Sequence, residues 1–403
     1  FNKFSAVPLL IRAARAAHAE SDGDDVKKRL MIVPNCHVTQ LATRANGGSA
    51  AVHEVWTNQG PIAVPPGGVV ILAAGTIEST RLALQAFGPA PDPGGIAIPH
   101  ADQIGRNLMA HLRSNLTIRV PRHALPNPNR LPAELQTSAL FVKGRHTYGG
   151  NRVGHFHLQI TAAGLEKPSG DSEAELFRKI PDLDTYGRFL TANDQHVVIT
   201  IRGIGEMQPD NPNSFVALDP QHDEFTTRRA FVRITPTAED NGLWDAMDQA
   251  SDEVASVFVA NLSPTDEFSV FTPDGEKRVT RSANLQTVLP YTPGDKQAAA
   301  ALGVPRGRRD GLGTTHHETG TLRMGANPAA SVTDADGRFH GVDNAYVVGP
   351  ALFPTIGSPN PMLTGVALLR RLGDHLAPPP VPYTPGGVFT ALFNGFDTGP
   401  WRM

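Results

Sequence analysis

Two segments in the last quarter of the chain hold the residues best suited to chemistry: Thr315-His316-His317-Glu318-Thr319-Gly320-Thr321-Leu322-Arg323-Met324-Gly325 and Gly357-Ser358-Pro359-Asn360-Pro361-Met362-Leu363-Thr364. The first offers a base, and the second an amide at the mouth of a helix. A histidine beside a polar partner suits the removal of a hydroxyl proton while hydride departs from the same carbon. On local pattern alone, His316-His317-Glu318 also fits a metal site or a polar loop. Adjacent histidines on an extended segment point to opposite sides, and no other His, Asp or Glu cluster has ligand spacing, so no metal is expected. Asn360 lies between two prolines just before an apolar run, where capping the helix is the plain alternative to function.

The elements that must position these residues fall into three textures. Leu9 to Ala19 reads as a helix closed by an acidic turn, and Leu30 to Leu41 and Ala51 to Trp56 read as strands. Val69 to Gly75 is a continuously apolar strand, the pattern of burial on both faces, and Ile77 to Phe87 follows it as a helix, giving an α/β unit. From about Pro121 come alternating strands at Ser138 to Lys143, His155 to Thr161, Val197 to Ile201, Phe215 to Leu218, Phe231 to Thr235 and Phe268 to Thr272, which predict a largely antiparallel sheet. One helix interrupts them, from Leu243 to Asn261, with Leu243, Met247, Ala250, Val254 and Val257 as its packing stripe. After Gly311 a strand at Ala345 to Val348 and a helix from Met362 to Leu376 return the chain to α/β character. The fold class is α/β (α+β). The division predicted is residues 1–114, 115–300 and 301–376, then a Pro-rich linker and the start of a further module at 377–403.

Composition bounds the partners. With 403 residues, 40% hydrophobic, 39 Gly, 35 Pro and a net charge of -3, the chain is globular and loop-rich, with no basic surface for nucleic acid. The single cysteine, Cys36, excludes an internal disulfide and a thiolate metal cage. No apolar run reaches the roughly 18 residues of a membrane span. A soluble protein of the cytoplasm or periplasm is expected.

Taken together, the two opening segments resemble the C-terminal signature of the glucose-methanol-choline (GMC) family of FAD-dependent oxidoreductases. The family's His-x-x-Gly-Thr-x-x-Met-Gly run is matched by His317 to Gly325, its flavin-lining stretch by Gly349-Pro350-Ala351-Leu352-Phe353-Pro354-Thr355, and its second catalytic position by Asn360. Between them, Val332 to Asn344 fits the run Val-x-Asp-x-x-x-Arg-x-x-Gly-Val-x-x-Leu, with Ala345 in place of the final Leu, and earlier Gly105-Arg106-Asn107-Leu108-Met109-Ala110-His111 is similar to the family's Gly-Arg-Asn-Leu-Met-Asp-His block, with Ala110 replacing the usual Asp. The resemblance implies later segments of a GMC-type FAD-binding domain joined to a substrate domain with a mainly antiparallel sheet. It also implies FAD as cofactor, with His317 as proton acceptor and Asn360 as ligand to the substrate oxygen. Val38, Ala74, Gly75, Gly349, Pro350, Asn360 and Pro361 would lie along the cofactor.

One family element has no counterpart. The Gly-x-Gly-x-x-Gly turn that holds the FAD pyrophosphate at a helix N-terminus is missing, since Asn46-Gly47-Gly48-Ser49 and Tyr148-Gly149-Gly150-Asn151 read as turns. An N-terminal FAD-binding segment or subunit is therefore an expected partner. Within the family, Gly320 to Gly325 and Asn360 to Thr364 look closest to the pyranose-oxidase-like branch, which implies a sugar or glycoside as substrate. His155, His157 and Gln159 share one face of a strand and are candidates to line its pocket, a solvent-facing strand edge being the alternative. The segment Phe389 to Trp401 resembles the opening of a lectin-like β-sandwich of keto-glycoside hydrolases. Other readings are a non-sugar alcohol oxidoreductase or lyase of the family and a non-catalytic carbohydrate-binding subunit. Oxygen, a quinone and a cytochrome all stay open as electron acceptor.

Overall fold

A computed structural model describes residues 5–125, 135–164 and 185–378; the tail expected to open a new module, and the Pro-rich stretch from 379 on, lie outside them. The first helix, α1, runs Val7–Glu20. Strands β1 (Val38–Asn46), β2 (Ser49–Thr57) and β3 (Gly60–Ala63) form an antiparallel meander, tightened by Gly47 and Gly48 at left-handed φ of 56° and 100°. The strand expected from Leu30 begins only at Val38. Pro34 has no N–H to give a ladder, and Asn35 takes a positive φ of 56°, so the chain turns there first.

Strand β4 (Val70–Leu72) leads into helix α2 (Gly75–Phe87) and pairs in parallel with the much later strand β13 (Ala345–Val347). The both-face burial predicted for the β4 run is not met within this chain: Leu72 is buried, but Ile71 is 41% exposed. Around α2 gather Leu41 and Val52 of the meander, Val347 of β13, and Phe339, Leu352 and Phe353 from the last quarter of the chain.

The predicted antiparallel sheet has six strands. Its members are β5 (Leu112–Pro121), β6 (Leu135–Thr147), β7 (Val153–Gly164), β8 (His196–Gly205), β11 (Glu267–Thr272) and β12 (Gly275–Thr280), in the order β12-β11-β5-β8-β7-β6. Strands β9 (Phe215–His222) and β10 (Arg228–Arg233) form a separate hairpin, anchored to the first core where the Val216 N–H donates to the Gly105 carbonyl at 2.8 Å.

Alternation divides the large sheet into two unlike faces. Leu116, Ile118 and Val120 of β5, Phe156, Leu158 and Ile160 of β7, and Val197, Ile199 and Ile201 of β8 bury one face under helix α3 (Ala238–Phe258). Each such side chain stabilises the fold by about 1.5–3 kcal/mol relative to exposure. Helix α3 starts with a reciprocal capping box between Thr237 and Asp240. Its packing stripe runs Leu243, Met247, Ser251, Ala255, a strict four-residue step; Val257, placed in the stripe by sequence, is 60% exposed because it falls off that line. The opposite face of the sheet carries Arg113, Asn115 and Thr117 of β5, His157, Gln159 and Thr161 of β7, and Thr200 and Arg202 of β8. Helix α4 (Met362–Leu376) closes the described chain.

Candidate functional site

Three stretches far apart in sequence lie side by side. Met109 and Thr319 exchange both backbone hydrogen bonds, at 3.1 and 2.9 Å, as an isolated antiparallel bridge. The N–H groups of Gly320, Leu322 and Met324 donate in turn to the carbonyls of Pro350, Ala351 and Leu352. Gly320 is required at this crossing: its φ is +90°, and a Cβ there would lie 2.4 Å from the Asn107 oxygen. Thr76 and Thr80 of α2 reach the same strip, Thr76 donating to the Glu318 carbonyl at 2.5 Å and Thr80 meeting the Thr321 hydroxyl at 2.7 Å.

Two residues on from the bridge, antiparallel register puts His111 opposite His317. Their Nδ1 atoms are 2.9 Å apart, and Nε2 of His111 lies 2.9 Å from the carbonyl oxygen of Gly357. His111 therefore ties the histidine segment to the one carrying Asn360. Burial pushes the His111 pKa down from 6.5 to about 3, with His317 and His157 adding to the effect. Burial also lowers the pKa of the half-buried His317, and Arg113 and His316 push it the same way. These influences all favour the neutral imidazole of His317. His316 takes a left-handed φ of 55°, an uncommon geometry outside glycine, and is exposed while its neighbour turns inward.

The polar face of the large sheet continues from this pair. His157 and Gln159 are buried and in contact, the Gln159 amide donating to Nε2 of His157 at 2.9 Å, and burial lowers the His157 pKa. His155 sits apart, at the exposed end of β7, where its ring meets Glu206 at 3.1 Å. Asn115 donates to Asp310 at 2.6 Å and accepts from Arg202 at 2.8 Å, while Arg113 is ion-paired with the same Asp310. Asn115, Arg202 and Asp310 line a cavity of about 270 Å³ with Arg188 and Arg308.

Asn360 is exposed, and no side chain caps α4, whose N-cap position is Pro361; the capping role considered for Asn360 is not the one it has. Helix α2 likewise starts uncapped, at Ala74 and at Gly75 with φ 77°. Gly75 and Gly349 have open space where a Cβ would project, and Gly349 lies against Gly365 in the first turns of α4, a Cβ on Gly365 being 3.8 Å from its Cα. Val38 is half-buried against the first core. Although the Ala74 N–H is taken by the Ser79 hydroxyl at 3.1 Å, two helix N-termini without a side-chain cap and unshielded glycine backbone can receive an electron-rich, partly anionic group. Among the described residues, no group of three or more His, Cys, Asp or Glu side chains is arranged to hold a metal.

In sequence, His111 is only the last residue of the Gly105–His111 run, with no pattern that gives it a task. Its partnership depends on the bridge between Met109 and Thr319, which no local pattern records. The same holds for Arg113, Asn115, Arg202 and Asp310, whose association needs the strand register.

Residues 211–368 match the family model described as GMC oxidoreductase. Among curated proteins, the chain is 40% identical over 86 residues to 6'''-hydroxyparomomycin C oxidase of Streptomyces lividus, covering 20% of this chain and 16% of that protein. It is 43% identical over 67 residues to C-glycoside 3-oxidase of Microbacterium trichothecenolyticum, covering 16% of this chain and 13% of that protein. Among solved structures, pyridoxine 4-oxidase from Mesorbium loti superposes with a TM-score of 0.49 at 19% identity, over 93% of this chain and 70% of that one. The aligned stretches span a small part of the curated relatives.

Proposed function

Since residues 211–368 match the GMC oxidoreductase family, whose members are FAD-dependent flavoproteins, we propose that the chain forms the greater part of an enzyme that oxidises a secondary hydroxyl of a sugar or glycoside. The observation that carries this reading is the seating of His317: half-buried, kept neutral by its surroundings, and held by a second histidine. His317 takes the hydroxyl proton and Asn360 hydrogen-bonds the substrate oxygen. Bound FAD supplies the acceptor for the hydride. The bare start of α4 at Pro361 and Met362 stabilises negative charge that develops beside it, and Ala74, Gly75, Gly349 and Pro350 give the close backbone contacts. Val38 lies towards the adenine end.

The sugar assignment rests on two supports. Two of the matching relatives are oxidases named for an aminoglycoside and a C-glycoside. The polar face of the large sheet, whose His157 and Arg113 act on His111 and His317, offers His157, Gln159, Asn115 and Arg202, with Asp310 bonded to Asn115, a set of donors and acceptors suited to several hydroxyls at once. His155 stands at the outer rim of that face.

An additional polypeptide segment with a glycine-rich phosphate-binding turn completes the cofactor site. Apolar surface supports this: Met362, Leu363, Val366 and Leu369 of α4 are 76%, 69%, 56% and 48% exposed, and the β4–β13 pair is a two-stranded parallel sheet with Ile71 uncovered. Parallel sheets are ordinarily covered on both faces. In the flavin-loaded protein, His317→Ala should lower the rate of flavin reduction by a sugar by roughly 10²–10⁴-fold while flavin stays bound. Flavin reduction at the parental rate would remove His317 from the mechanism.

A further inference from the structure

We propose that His111 is a positioning residue for His317: acting from the Gly357 carbonyl, it fixes both imidazoles in single tautomers and leaves Nε2 of His317 as a bare lone pair. The inference deepens the reading of His317 as a base, though its first test does not depend on that reading.

The argument follows the protons. A carbonyl oxygen has none to give, so the 2.9 Å contact between Gly357 and His111 is an N–H donated from Nε2 of His111. His111 is only 1% exposed and is uncharged at ordinary pH, so that proton is the one it carries, and its Nδ1 is an acceptor. The 2.9 Å contact between the two Nδ1 atoms then requires the proton to come from His317. A neutral His317 that carries its proton on Nδ1 has none on Nε2. One backbone carbonyl thus determines the protonation of both rings.

The groups acting on the pair do not disturb this arrangement. Arg113 and His316 act on His317, and His157 acts on His111, each disfavouring positive charge. Among the described residues, no carboxylate is hydrogen-bonded to either ring. When Nε2 of His317 takes up a proton, the Nδ1–H donor becomes cationic and its bond to His111 strengthens. His111 does not pass a proton on, because its second nitrogen already donates to a carbonyl that cannot be protonated. Its role is orientation rather than relay.

The test is the tautomer itself. In ¹⁵N-labelled protein at pH 7.5, long-range ¹H–¹⁵N correlations of the imidazoles, assigned with His317→Ala, should give His111 as the Nε2–H form and His317 as the Nδ1–H form. In His111→Leu, His317 should relax to a mixture dominated by Nε2–H. In His111→Asn, whose side-chain oxygen can stand where Nδ1 stood, it should remain Nδ1–H. With flavin bound, His111→Leu should reduce kcat for flavin reduction roughly 10- to 100-fold with KM little changed, and His111→Asn should recover most of the loss. A wild-type His317 in the Nε2–H form overturns the proposal, and so does an Asn variant no better than the Leu variant. If His111→Leu does not fold, the wild-type and Asn spectra still decide. Tautomers as stated, together with a fully active His317→Ala, would leave this inference standing and reject His317 as the base.

Discussion

Met109 and Thr319 bond to each other through both backbone N–H groups, and the register they set brings His111 and His317 to opposite positions. The two histidines meet because the backbone brings them together, and their distance is as fixed as a ladder rung.

Replacing Gly320 should therefore damage more than local packing. In Gly320→Ala the new methyl meets the Asn107 oxygen at a backbone φ of +90°, and both the clash and the conformation oppose it. The expected cost is about 2–4 kcal/mol, read as a lower urea midpoint. An unchanged midpoint would mean that the Met109–Thr319 crossing has slack the geometry does not suggest.

Acid should weaken the fold through its buried histidines. His111 has an ordinary pKa of 6.5 when unfolded and about 3 when folded, so below pH 6.5 the unfolded chain binds a proton that the native chain refuses. Its contribution is fully present above pH 6.5 and falls by about 1.4 kcal/mol for each pH unit below that, down to about pH 3. Unfolding free energies at pH 7.5, 6 and 5 measure the slope. His111→Leu should flatten it, and equal slopes in the two proteins would count against a neutral buried His111.

Arg113 should tune the base. Its charge, after burial, is the largest influence lowering the His317 pKa, so Arg113→Met should raise that pKa towards its ordinary value. The acid limb of the pH–rate curve for flavin reduction should move to higher pH. A limb that stays in place, or moves lower, contradicts the assignment of that limb to His317.

Much of this was legible because short-range patterns carry it. Alternation along His155 to Ile160 correctly sends Phe156, Leu158 and Ile160 to the core. The strand predicted over Leu30 to Leu41 begins only at Val38, because the Pro34-Asn35 turn overrides the apolar run before it. Val257 was misplaced since helical spacing admits two neighbouring stripes, and only the partner sheet selects between them. His111 shows the remaining limit: its importance comes from a partner 206 positions away, beyond the reach of any periodicity.

The pairing of Val70 with Ala345 in the parallel β4–β13 sheet has a consequence for how this protein is made. Asn344 adds to the same seam, its side chain bonded to the Val52 carbonyl 292 positions earlier. A ribosome releases β4 long before β13 exists, so β4 waits for that neighbour through all the synthesis between them. High-separation contacts of this kind fold slowly and leave intermediates prone to association. The first core, and with it the alignment of residues 320–324 against 350–352, is completed only when residues 345–353 have been made, so a product that stops before them would be not a weaker enzyme but an unassembled one.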